Sequence, residues 1–268
     1  MSKLLLVAHG SRDPRYAASY ETLRQRLREQ GHEAEVGHLG LCGPDVVEAA
    51  VRLARGRSRF GEPIVAVPMF LNHGYHVAHD VPEAVAAARA ATASHARIVV
   101  AEPLGPHPLL IESMESRLRE LGVWPGDPDT AVVLASAGTS DAAARGVLED
   151  LAARWAGTGW HSVSPAYAGA AAPDAGRAVA EARAAGARDV VIASYFLAPG
   201  LLADRVAEHA PGIRMAAPLA TPEQVDPALP RLVARRAAEI LDLLVNKDPH
   251  KHGGRPRPGI RSGSALRR

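Results

Sequence analysis

The sequence predicts an α/β chain of two tandem domains, each a parallel sheet flanked by helices. Three observations carry this. Short apolar runs alternate with longer amphipathic segments, which is how βα units around a parallel sheet read. The pattern restarts near residue 130, so the chain reads as a duplication. The join falls in GVWPGDPDT (122–130), rich in Gly, Pro and Asp.

In the first unit, residues 4–8 (LLLVA) form an unbroken apolar run, as expected of a strand covered on both faces. The chain turns polar at His9-Gly10-Ser11-Arg12-Asp13 and enters a helical pattern over 17–30. A strand at 34–38 leads to a helix at 44–54, and a strand at 64–68 (IVAVP) to a helix at 78–91. A last strand at 98–101 leads to a helix at 108–121. The second unit repeats the order. TAVVLASAGTSD (130–141) echoes KLLLVAHGSRD (3–13), setting Gly138 against Gly10. DVVIASYFLAPGLLADRV (189–206) echoes PIVAVPMFLNHGYHVAHD (63–80), setting Phe196-Leu197 against Phe70-Leu71 and Gly200 against Gly74. The two offsets, 138 − 10 = 128 and 200 − 74 = 126, nearly agree. Domains are expected at 1–124 and 125–246. Residues 247–268, dominated by Pro, Gly and Arg and carrying His250 and His252, read as a disordered basic tail.

At 268 residues and 47% hydrophobic, the chain can bury two cores. Net charge is only +2, the tail supplies much of the positive charge, and aromatics make up 4%; a general nucleic-acid binder is excluded. The single cysteine, Cys42, excludes an internal disulfide framework and a cysteine-built zinc site, and fits a reducing compartment. No signal-peptide pattern surrounds residues 4–8, and no run reaches the roughly 18 apolar residues of a membrane span. The expectation is a cytoplasmic protein without nucleic-acid or membrane partners, able to act as a monomer because it carries both copies.

The differences between the copies point to the chemistry. His9 is replaced by Ala137 and His76 by Leu202, while the glycines, the Phe-Leu pairs, Asp13 and Asp141 persist. Residues needed for folding should survive in both copies, whereas residues needed for chemistry can survive in one, so the first unit is read as the active one. Ligands of parallel sheets collect outside the C-terminal ends of the strands. His9 follows the first strand and His76 the third, and in flavodoxin-like strand order these neighbour each other, so both imidazoles would face one pocket. Gly10 and Gly74 would let the backbone turn and a ligand approach. Two imidazoles without thiols suit Fe²⁺, Co²⁺ or Ni²⁺, and imidazole also takes protons near neutral pH. Asp80 reads either as a cap of the following helix or as a site carboxylate, and Glu102, after the fourth strand, has access to the same edge. His107 is placed at the mouth, and His38, His73 and His79 stay unassigned. Ser11, Arg12 and Arg15 sit at the first βα turn, where an anionic ligand would find cations and helix N-terminal amides.

LLLVAHGSRDP, VPMFLNHGYHVAHDVP and EPLGPHPLL, in that order, resemble the sirohydrochlorin and precorrin-2 chelatases, the nucleotide-independent class II tetrapyrrole chelatases. The likeness covers about residues 3–120, and the second unit resembles a degenerate copy. It implies two chelatase-like domains with a tetrapyrrole in the cleft between them, and insertion of Fe²⁺ or Co²⁺ into sirohydrochlorin on the way to sirohaem or cobalamin. Iron is the mild preference and cobalt the runner-up. The resemblance sets His9 and His76 as the residues that bind the metal and accept pyrrole protons, with Asp80 and His107 at family positions of less defined role. It implies no permanently bound cofactor and no nucleotide; the chain has no G-x-x-x-x-G-K-[ST] loop. Arg12, Arg15 and helix N-termini would meet the carboxylates of the substrate.

Two other readings compete. A histidine phosphatase needs an Arg before the His-Gly that ends its strand, and here Ala8 stands there. A non-catalytic metal carrier or regulatory protein on the same scaffold would not need both His9 and His76, which this chain keeps.

Overall fold

Every residue of the first strand, β1 (Lys3–Ala8), is buried, because the sheet it centres is covered on both faces. The computed structural model describes residues 2–56, 62–92 and 96–246; the tail at 247–268, with His250 and His252, lies outside the described residues. The elements follow in order as α1 (Pro14–Glu29), β2 (Glu33–His38), α2 (Val46–Arg55) and β3 (Ile64–Pro68). A π-helical turn (His76–Asp80) then runs into α3 (Val81–Thr92), followed by β4 (Ile98–Val100) and α4 (Pro108–Glu120). The second unit holds β5 (Thr130–Ser136), α5 (Ala142–Ala156), β6 (Ser162–Tyr167), α6 (Ala175–Ala184), β7 (Asp189–Ser194), α7 (Leu201–His209) and α8 (Ala228–Asn246).

Among the described residues the strands form two parallel sheets, ordered β2-β1-β3-β4 and β6-β5-β7. The adjacency expected of the first and third strands is present, with Leu4 opposite Val65 and Val7 opposite Pro68. Strand residues alternate between faces. Leu5 and Val7 pack outward against α2 and α3, through Val46, Ala50, Leu53 and Val85. Leu4 and Leu6 point inward to a core that also holds Val132 and Leu134 of β5. The outer face of the second sheet, Val133 and Ile192, is covered by Ala178 and Val179 of α6 and by Val206 of α7.

The inner core joins the two units. It takes Leu23 and Leu27 from α1, Leu110 and Met114 from α4, Leu148 and Trp155 from α5, and Leu229 and Leu232 from α8. The two last helices are exchanged: α4 lies against β7 of the second sheet and α8 against β3 of the first. The buried Arg117 of α4 donates to the Leu219 carbonyl at 3.1 Å, a further tie across the units. No helix of the described residues is long and apolar enough to cross a membrane.

The helix starts have local causes. Asp13 caps α1 by accepting from Arg15 N, and Asp141 caps α5 by accepting from Ala143 N. Asp45 and Glu48 form a reciprocal capping box at α2. Gly10 and Gly138 hold φ of +94° and +86°, and a Cβ there would sit 1.8 Å from the Gly40 carbonyl oxygen and 2.0 Å from that of Gly169. Both units need glycine at this turn, so both kept it.

Candidate active site

The pairing of β1 with β3 brings their C-terminal ends side by side. His9 leaves β1 directly, and Gly10 N donates to the Tyr16 hydroxyl at 3.4 Å, which helps hold the turn beneath it. Burial pushes the Tyr16 phenol above its ordinary value, keeping it protonated. After β3 the chain loops to Gly74, whose carbonyl accepts from Val77 N at 3.0 Å and Ala78 N at 3.1 Å and so starts the π-helical turn. That turn closes with Val81 N donating to the His76 carbonyl, and its four-residue spacing sets His76 beside Asp80.

The two imidazoles meet. The ring centroids of His9 and His76 lie 4.6 Å apart at an interplanar angle of 78°. His9 Nδ1 lies 3.0 Å from the Gly10 carbonyl oxygen, and His76 Nδ1 is hydrogen-bonded to the Asp80 carboxylate. Both partners can only accept, so each Nδ1 carries the proton when the ring is neutral and each Nε2 keeps its lone pair. This is how outer-shell acceptors orient metal-ligating histidines. No group of three or more His, Cys, Asp or Glu side chains able to hold a metal occurs among the described residues. The pair thus presents two Nε2 lone pairs on neutral rings.

The histidines stand on the wall of a cavity of about 440 Å³, in the size range of small-molecule sites. Phe70, Leu71, Asn72 and Tyr75 line it from the first unit, and Thr139, Phe196 and Leu197 from the second. Neither carboxylate nor guanidinium lines it among the described residues. Tyr195 ties the walls together, its buried hydroxyl donating to the Leu71 carbonyl at 3.0 Å. The Phe-Leu pairs, read from the duplication as scaffold, are therefore cavity wall in both units. Their recurrence directly after β3 and β7 was the signal available in the sequence.

The family model for CbiX matches the chain twice, over residues 3–121 and again over 131–240. The chain belongs to the CbiX family. It is 29% identical over 218 residues to a sirohydrochlorin cobaltochelatase of Priestia megaterium, covering 78% of this chain and 68% of that protein. A sirohydrochlorin ferrochelatase of the same organism is 26% identical over 213 residues, covering 78% of each. In three dimensions it resembles SirB from Bacillus subtilis with Fe³⁺, at a TM-score of 0.70 and 20% identity, over 92% of this chain and 98% of that one.

The other residues expected at the site of this CbiX chain are placed unevenly. Asp80 does not cap α3, which continues from the π-helical turn; it holds His76 instead. Gly74 lines the cavity, yet its φ is ordinary and a Cβ there would meet nothing within 4 Å, so the turn does not require glycine. Ser11 accepts from Asp13 N at 3.1 Å, a local turn contact outside the cavity lining. Arg12 is exposed and makes no ion pair among the described residues. Arg15 is already matched: it chelates Asp13 and reaches Asp204 of α7 at 3.2 Å, and these carboxylates push its guanidinium pKa up. Glu102 is exposed and lies 4.0 Å from His73 Nε2, outside the cavity lining. His107 is the N-cap of α4, its Nδ1 accepting from Leu109 N at 3.0 Å, and is likewise outside the lining. His38 is buried with its Nδ1 on the Pro44 carbonyl, and His79 packs on Tyr75 with ring centroids 4.5 Å apart.

Proposed function

We propose that this chain inserts a divalent metal, Fe²⁺ or Co²⁺, into sirohydrochlorin, with His9 and His76 holding the ion and accepting the pyrrole protons. The observation that carries the reading is the paired imidazoles, 4.6 Å apart with both Nδ1 atoms engaged, on the wall of an apolar and aromatic cavity. Insertion exchanges metal-bound water for four ring nitrogens and removes two N–H protons from the ring. Two imidazoles match both demands. Each offers one Nε2 lone pair to the ion, and each regains it on handing the ion over, ready to take one proton. The imidazolium formed at His76 faces the Asp80 carboxylate, which stabilises it. Two neutral ligands hold the ion loosely enough to release it, where a cage of carboxylates would not.

Phe70 and Phe196 offer apolar ring surface to the macrocycle from opposite units, and Arg12 is the exposed cation next in the chain to meet a carboxylate arm. The reading assigns the chemistry to 1–124 and a binding wall to 125–246. One chain supplies both walls, so no second copy is required. The cited relatives include a cobaltochelatase and a ferrochelatase, so the reading covers either metal. Purified protein mixed with sirohydrochlorin and Co²⁺ or Fe²⁺ should accelerate the absorption change of metallation above the spontaneous rate, and His76→Ala should abolish the acceleration in a folded protein. No acceleration with either metal would sink the reading.

A further inference from the structure

The imidazole pair has a second side. A separate cavity of about 620 Å³ is lined by His9, His76, Asp80, Glu83, residues 39–41 of the loop after β2, and Ala84 and Ala87 of α3. His9 and His76 are the residues common to this outer cavity and to the inner one between the units. The rings therefore form a partition. The two sides differ in chemistry: the inner lining holds no carboxylate side chain among the described residues, and the outer holds two, Asp80 and the exposed Glu83.

We infer that the divalent ion reaches the imidazoles from the outer cavity, guided by Glu83, while the tetrapyrrole occupies the inner one. The inference rests on the chelatase reading and adds a route to it. Charge sorts the two substrates. Carboxylates at the outer mouth attract a hydrated dication and repel a macrocycle that carries many carboxylates of its own. The inner walls, with Phe70, Phe196 and Leu197, suit a flat apolar ring and offer a dication no charged side chain among the described residues. An ion arriving from the outer side meets the imidazoles without passing the bound ring, so either substrate can bind first. Glu83 makes no ion pair among the described residues, which leaves its carboxylate available.

Two variants test the route without touching the imidazoles or Asp80. Glu83→Lys reverses the charge at the mouth, and Ala87→Trp fills it without changing charge; both positions are exposed on α3, so folding should be retained. With sirohydrochlorin saturating and Co²⁺ varied, each should raise the KM for Co²⁺ about three- to tenfold. The kcat at saturating Co²⁺ and the KM for sirohydrochlorin should stay at wild-type values. An unchanged KM for Co²⁺ in both variants, or a rise in the KM for sirohydrochlorin instead, overturns the route. If the wild type shows no insertion, the chelatase reading fails by itself. The route is then decided by stopped-flow binding of Co²⁺ to the protein alone, followed in its visible absorption: slower association in both variants supports it, and wild-type association refutes it.

Discussion

Replacing Asp80 by Asn tests how the site is held together. The Asp80 carboxylate accepts from His76 Nδ1; an amide oxygen of the same shape still accepts, but without charge. A hydrogen bond to a charged group contributes about 1.5–3 kcal/mol and a neutral one about 0.5–1.5 kcal/mol, a difference near 1–1.5 kcal/mol. The side chains are 47% and 36% exposed, so water screens part of this and the lower end applies. About 1 kcal/mol corresponds to roughly fivefold in rate. Asp80→Asn should lower kcat for metallation at saturating metal about five- to tenfold, and Asp80→Ala, which also frees the ring, about 10- to 100-fold. The assay is the absorption change of sirohydrochlorin, corrected for the spontaneous rate. Asp80 acts through His76, so the loss should appear in kcat and leave the KM for sirohydrochlorin at its wild-type value. Wild-type kcat in Asp80→Asn, or a loss confined to the KM for sirohydrochlorin, refutes the orienting role.

Other outcomes can be read from stability. Gly10→Ala puts a Cβ 1.8 Å from a carbonyl oxygen at a φ of +94°, and should cost at least about 3 kcal/mol in urea unfolding or prevent soluble expression. Gly74→Ala, in open space, should stay within about 0.5 kcal/mol of wild type. Tyr195→Phe leaves the Leu71 carbonyl without its cross-unit donor and should cost about 1–2 kcal/mol with an unchanged denaturant slope. Burial holds the His38 ring below its ordinary value of 6.5, so on acidification the unfolded chain takes the proton first. Its contribution to stability is intact above pH 6.5 and is lost as the pH falls through the native value; the pH dependence of Tm below 6.5 should be shallower in His38→Gln. His32 and His107 are shifted the same way, so the slope should not vanish.

The strands, the helices and the duplication were legible because they rest on local periodicity. The helix expected at 108–121 is observed at Pro108–Glu120, and that at 44–54 at Val46–Arg55. The meeting of His9 and His76 was legible too, since both follow neighbouring strands of a parallel sheet and both vanish from the second copy. Side-chain partners were less so. Asp80 has two local options, a cap or a bond four residues back, and the π-helical turn decided for His76. His107 and Glu102 stand at the right sheet edge by position, yet one caps a helix and the other stays out on a loop beside His73.

The sequence by itself determined the two βα units, the glycine turns after their first strands, and which unit carries the imidazole pair. It could do so because alternation, glycine chemistry and a lost histidine are all written within a few residues. Only the tertiary structure decided that α4 and α8 change places, that Arg15 is held by Asp204, and that Phe196 and Thr139 share a cavity with His76. In all three cases the partners lie on opposite units, and what brings the units together is burial of one common core between the sheets. No short stretch of chain encodes that contact, because it exists only once both sheets have turned their inner faces to each other.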